Sequence, residues 1–174
     1  MNKKAIETIY EKNRIIDNII GALQERSHFL FLGHKNPDED CIGSMVAFAL
    51  IAGKFSKKAN VYISDSMHEH FQYLLDICRH NAISCSEAMS DIDETVDAVV
   101  VCDTPKPSMI DLNPVIEKIL AKPGVLKIEV DHHLGADSAY IGDEGYRLVT
   151  VATSSSELVG LIAITLHAYP CKMI

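Results

Sequence analysis

Three short polar clusters in this sequence each follow an apolar run. GHKNPDEDCIGS, from Gly33 to Ser44, follows HFLFL and offers His34, Asp38 and Asp40; DAVVVC is followed by Asp103; VLKIEV is followed by Asp131, His132 and His133. Gathered at one place, these aspartates and histidines repel one another and call for cations. Mixed carboxylate and imidazole donors suit Mn²⁺, Fe²⁺, Co²⁺ or Zn²⁺, whereas an all-oxygen set would favour Mg²⁺ or Ca²⁺. Asp103, centrally placed, can give one oxygen to each of two ions. A pair roughly 3.5–4 Å apart can activate water and neutralise charge growing on a phosphoryl oxygen. Gly43 and Ser44 add amides and a hydroxyl at a first helical turn, a place for a phosphate oxygen. Each residue alone has a plainer use. Asp38 or Asp40 can cap the helix that begins near Cys41, and a lone histidine is more often a packed or surface residue than a ligand. What favours a site is that three clusters all stand directly after strands.

The elements around the clusters decide whether they can meet. Apolar density predicts strands at His28 to Gly33, Asn60 to Ser64, Asp97 to Cys102 and Val125 to Val130, with a further short one at Tyr146 to Val149. The three consecutive valines of DAVVVC predict a central strand buried on both faces. The alternation of Lys127 and Glu129 predicts a less completely covered strand. Helices are expected over Cys41 to Ala52, Glu69 to Cys78, Asn113 to Leu120 with Pro114 in its first turn, and from Ser154, where Glu157 completes a capping box. Isoleucines at mixed three- and four-residue intervals across residues 3 to 24 predict an amphipathic surface helix, with membrane or dimer contact as the lesser alternative. Alternating strands and helices predict an α/β fold, a three-layer open and mostly parallel sheet with helices on both faces. In such a sheet the carboxyl ends of the strands share the edge where ligands bind.

Composition narrows the function. The 174 residues suit one α/β domain, and the formal charge of −8 disfavours a track for duplex nucleic acid while permitting a small phosphate ligand recruited through metal. No apolar run reaches the roughly 18–20 residues that cross a bilayer, and acidic residues interrupt the N-terminus where a signal peptide has its apolar core. A cytoplasmic protein without a membrane partner is expected, with self-association left open. Five cysteines with no CxxC pair are expected reduced and mostly buried. His68 and His70 in SMHEH, and His28, His80 and His167, carry no convincing ligand spacing.

HKNPDEDCIGS at His34 to Ser44, the aspartate after a valine strand at Asp103, and the triplet Asp131 to His133 together resemble the DHH phosphoesterase superfamily. That group includes RecJ exonucleases, NrnA-type oligoribonucleases, cyclic dinucleotide phosphodiesterases and family II inorganic pyrophosphatases. The resemblance covers residues from about 28 to 165. It implies His34 and Asp38 on one metal, usually manganese, Asp40 and His132 on a second, and Asp103 bridging. It further implies His133 facing the substrate phosphoryl group, with Asp131 behind the site fixing an imidazole. The long phrase with Asn36 and Pro37 resembles the NrnA-like branch, hence a small nucleotide or short oligonucleotide as substrate and two Mn²⁺ as cofactor.

Two departures accompany the resemblance. Glu39 stands where the family has glycine and Cys41 where it has alanine. A fourth acidic motif and a C-terminal substrate-binding domain, both usual in the family, do not occur within the sequence; Asp137 and Asp143 are the acidic residues available to replace the missing ligand. The expected organisation is an N-terminal helix over residues 1–27 packed on a DHH-type domain at 28–174. The rival expectation is a catalytically weak or inactive metal- or nucleotide-binding domain.

Overall fold

HFLFL and AVVVC contain no polar interruption, so both can lie inside a sheet covered on two sides. A computed structural model describes residues 2–63, 71–86, 92 and 95–168. In it β1 (His28–Leu32) and β4 (Ala98–Cys102) are paired, parallel and buried at every position. β2 (Lys58–Tyr62) and β3 (Ser84–Ser86) extend the sheet on one side, and β5 (Leu126–Asp131) and β6 (Arg147–Val149) on the other. The order is β3-β2-β1-β4-β5-β6 with every pairing parallel. Strand order therefore reverses between β1 and β4, whose carboxyl ends lead into His34 and Asp103.

Helices α1 (Ile9–Glu25), α2 (Glu39–Lys54), α3 (Gln72–His80) and α5 (Ser155–Ala168) cover one face, packing on Phe29, Phe31, Val100, Ile128 and Val130. Helix α4 (Pro114–Ala121) covers the other face with Leu30, Leu32, Val99 and Val101. The expected three-layer α/β architecture is the one found. Gly33 lets β1 end close against α2, since a side chain there would collide with Cys41 Sγ. Among the described residues no helix is long and apolar enough to cross a membrane.

Local details depart from expectation at the N-terminus and extend it elsewhere. The N-terminal helix starts at Ile9, capped by the Thr8 side chain, and not at residue 3, because the preceding segment is extended and Lys3 is buried. β5 is less completely covered than β4, as expected, but only at Lys127, which is half-buried; Glu129 and Asp131 are both 0 % exposed. The Lys127, Glu129, Asp131 alternation marks a polar interior face whose carboxylates meet Lys3. The edge strand β3 and a 3-10 turn at Pro107–Met109 were not foreseen, each being three residues with no periodicity to read. His68, His70 and Cys171 lie outside the described residues.

Glu129 also fixes the loop after β5. Its Oε2 accepts from the amides of Ile141 (3.1 Å) and Gly142 (3.0 Å). This approach leaves no room at Gly142, where a Cβ would stand 2.7 Å from Glu129 Cβ. Gly142→Ala should lower stability by about 1–3 kcal/mol. Gly160→Ala, in α5 with nothing within 4 Å of the added carbon, should raise it by roughly 0.5–1 kcal/mol. Urea unfolding of the two variants against the parent checks the contrast.

Candidate functional site

The αL backbone at Asp103 (φ 51°) turns the chain sharply after β4, a conformation that aspartate tolerates better than most residues. The carboxylate is buried, its side chain 3 % exposed, and its two oxygens face different partners. Oδ1 lies 3.3 Å from His132 Nε2 and 3.6 Å from His133 Nδ1, while Oδ2 lies 3.8 Å from His34 Nε2. Ser155 Oγ, fully buried, donates to Oδ1 at 3.0 Å and holds the carboxylate in place.

Both flanking imidazoles are turned the same way. His34 Nδ1 is 2.8 Å from the carbonyl of Lys35 and His132 Nδ1 is 3.3 Å from that of Ala152. A ring nitrogen against a carbonyl must carry the proton. Each ring thus points Nε2 at carboxylate oxygens: His34 at Asp103 and Asp38 (4.0 Å), His132 at Asp103 and Asp40 (3.7 Å). Histidine metal ligands have this arrangement, with the second nitrogen fixed by a backbone or carboxylate acceptor.

The clasp between the loops after β1 and β4 is backbone-made, Lys35 N donating to Met109 O at 2.8 Å. Around it opens a cleft of ≈ 480 Å³ lined by His34, Asp38, Asp40, Asp103, His132 and His133, with Pro105, Met109, Thr153 and Ser154 forming the rest of the wall. His133 is the most open of the three imidazoles, 40 % exposed, and its Nδ1 lies 2.8 Å from Asp131 Oδ1. Two groups among the described residues hold donor atoms within 4.8 Å of one another: His34, Cys41 and Asp103, and Asp103, His132 and His133. They share Asp103.

Asp38 does the capping foreseen for it, and Asp40 caps a different helix. Asp38 Oδ1 caps α2, accepting from Cys41 N at 3.0 Å. Asp40 caps α5 instead, Oδ1 accepting from Ser156 N (2.9 Å) and Oδ2 from Ser155 N (2.7 Å). Burial works against ionising Asp40, and the hydroxyl and amide of Ser156 with the amide of Ser155 outweigh it, leaving its carboxyl below the ordinary range.

Gly43 and Ser44 are not brought to the cleft wall. Ser44 is fully buried between α2 and α5, its Oγ 3.0 Å from Ser156 Oγ and 3.4 Å from Asp40 Oδ1, and Gly43 faces the same serine. Asp137 pairs with Lys106 (2.6 Å), and Asp143 Oδ2 accepts from Lys127 N (2.9 Å); neither reaches the cleft. Glu39 is exposed in the first turn of α2. Burial raises the thiols of Cys41 and Cys102, which argues against a nucleophilic thiolate at either.

Ser155, Ser156 and Lys3 were missed. The two serines follow the expected cap Ser154 and gave no signal of their own, and Lys3 fell within the expected surface helix.

The carboxylates around His34 also favour a proton on its ring. Asp103, its carboxylate 3.8 Å from Nε2, pushes the His34 imidazole up from 6.5 to about 11, with Cys41 adding to the rise and burial opposing it. A raised folded-state value stabilises fully below the unfolded value and is lost as pH climbs through the folded one. The chelated protein should therefore lose the His34 contribution progressively between pH 6.5 and about 11. Thermal midpoints of parent and His34→Gln, measured across that window, should converge as pH rises.

The comparisons with known proteins agree with this fold. An exopolyphosphatase-related protein from Bacteroides fragilis superposes with a TM-score of 0.67 at 19% identity, covering 91% of this chain and 45% of that one. A "Probable manganese-dependent inorganic pyrophosphatase" of Enterococcus faecalis (strain ATCC 700802 / V583) is 27% identical over 133 residues, 75% of this chain and 39% of that protein. The chain thus spans about two fifths of the length of that curated relative. Residues 28–168 match the DHH family, N-terminal domain. A match over that much of the sequence, running from the first residue of β1 to the last of α5, establishes that the chain belongs to the DHH family through its N-terminal domain.

Proposed function

We propose that the cleft binds two divalent cations, Mn²⁺ by preference, and hydrolyses a phosphodiester or phosphomonoester of a small nucleotide or short oligonucleotide. The observation that carries this reading is the division of Asp103, one oxygen toward His34 and the other toward His132 and His133. Carboxylate oxygens directed at imidazole Nε2 atoms whose Nδ1 partners are carbonyls form a donor set that a divalent ion satisfies. His34, Asp38 and Asp103 Oδ2 would hold one ion; Asp40, His132 and Asp103 Oδ1 would hold the other. When bound, such ions neutralise charge on phosphoryl oxygens and lower the pKa of water.

The remaining work belongs to the chain. Asp131 accepts from His133 Nδ1, which leaves Nε2 facing the open side of the cleft, where in the protonated ring it would donate to a phosphoryl oxygen. Ser155 keeps Asp103 from rotating out of its shared position. The cleft at ≈ 480 Å³ and the charge of −8 support a compact substrate whose phosphate is recruited by cations, over a long nucleic acid held by basic residues.

Two other readings have specific support. The curated relative's name supports inorganic pyrophosphate as the phosphate compound cleaved. The helix-capping duty of Asp38 and Asp40 supports a domain that binds metal weakly and does not turn over, because cap bonds occupy lone pairs that a metal would use.

Purified protein loaded with Mn²⁺ and assayed against a dinucleotide, 3′-phosphoadenosine 5′-phosphate, bis-p-nitrophenyl phosphate and pyrophosphate separates these readings, with metal content read by mass spectrometry. About two ions per chain with nucleotide turnover is the expected result; fewer than one ion and no turnover would overturn it. Asp103→Asn should remove both ions and lower turnover by on the order of 100-fold or more. Ser155→Ala should leave the fold intact and weaken metal affinity by about 10–100-fold, measured by competition with a chromogenic chelator.

A further inference from the structure

The extended segment ahead of α1 carries a lysine into the interior. Lys3 has a side chain 0% exposed, and its Nζ meets three oxygens: Asp131 Oδ2 at 2.5 Å, Thr104 O at 2.6 Å and Glu129 Oε1 at 2.8 Å, the last as an ion contact. Two of these oxygens accept hydrogen bonds from the ammonium, and Glu129 Oε1 meets it by charge alone. The backbone fixes the insertion: Lys3 N donates to Ser138 Oγ (3.1 Å), Gly135 N to Lys3 O (3.4 Å) and Ile6 N to Val149 O (3.2 Å).

Stability alone gives a weak account of such a group. Removing charges from water costs several kcal/mol per ion, and well-packed apolar side chains often replace a buried ion pair without loss. What distinguishes this cluster is its location. Thr104 follows Asp103 directly, and Asp131 turns its second oxygen, Oδ1, to His133 Nδ1 at 2.8 Å. Lys3 therefore grips one oxygen of the carboxylate whose other oxygen sets the His133 ring. It also grips the carbonyl next to the shared aspartate.

We propose that Lys3 is a positioning residue for His133, holding Asp131 Oδ2 so that Oδ1 fixes the imidazole with Nδ1 inward and Nε2 toward the cleft. This rests on the reading of His133 as the residue that faces the phosphoryl group. The ammonium acts through Asp131 and touches no substrate. Residues outside the helices and strands that form the cleft thereby become part of its geometry.

The test uses the full chain. Lys3→Met strands two buried carboxylates and can fail to fold; Lys3→Met with Glu129→Gln keeps the net charge of the cluster at that of one carboxylate, as in the parent, and is the decisive variant. In the parent, proton NMR should show a downfield, exchange-protected Nδ1 proton on His133. The double variant should fold, by circular dichroism and thermal midpoint, and lose that signal, while Glu129→Gln alone keeps it. With Mn²⁺ and substrate, its kcat should fall by about 10–100-fold, with KM and metal content unchanged. Placed in a His133→Asn background, the same two substitutions should cause no further loss, because both act through one ring. A double variant that retains the protected proton, or whose loss in kcat persists without His133, would overturn the proposal. The proton signal is read on metal-free protein and needs no turnover, so failure of the phosphoester reading registers separately from failure of the role given to Lys3.

Discussion

Negative charge converging on one sheet edge is the constraint around which this molecule is arranged. Parallel strands β1, β4 and β5 end side by side, and each delivers aspartate or histidine at its carboxyl end. In water such groups would separate; here Asp103 is buried and cannot. Carbonyl acceptors at Lys35 and Ala152 fix the His34 and His132 rings, so their Nε2 atoms and the carboxylate oxygens face one another with a cation needed between them. The rise of His34 to about 11, driven first by Asp103, expresses the same need. A proton and a divalent ion bound there would compete for one place.

Helix termini reinforce the arrangement. Asp40 belongs to the first turn of α2 yet accepts two amides from the first turn of α5, where the positive end of the helix dipole favours an anion. Ser44 and Ser156 meet at the same crossing, and Ser155 reaches from that turn to Asp103. The packing of α2 on α5 and the placement of the cleft carboxylates are therefore set by one group of bonds. A shift of α5 would move Asp40 and release Asp103 together, which makes this helix part of the site although its first turn contributes mainly serines.

The legible part of the sequence was whatever depends on local pattern. β1 and β4 stood out because continuous apolar residues bury on both faces, and β5 because apolar residues alternate with Lys127 and Glu129. The polar clusters stood out because they interrupt those runs at the same end, and the sheet order then brings His34, Asp38, Asp40, Asp103, His132 and His133 to one cleft. What depends on a distant partner was not legible. Ser155 reads as a helix start whether or not Asp103 lies behind it. Gly43 and Ser44 read as a phosphate-binding turn because exposed helix amides suit anions, but here α5 covers that turn, leaving Ser44 fully buried. Lys3 fits an amphipathic pattern well, and only the burial of Glu129 and Asp131 reveals why it leaves that pattern.

That last case shows how local and global preferences divide along the chain. A lysine near an N-terminus is ordinarily solvated, since its ammonium loses more on burial than an exposed ion pair returns. β5, however, places Glu129 and Asp131 two residues apart on one face of the sheet, and neither is accessible. Two adjacent buried carboxylates are untenable without a cation, and the Lys3 ammonium supplies that charge. The helix consequently starts only after Thr8, for continuing it back to residue 3 would withdraw the ammonium from both carboxylates. The same requirement for positive charge that governs the cleft thus acts a second time behind it, satisfied there by the chain itself, and Asp131 is the residue through which the two places meet.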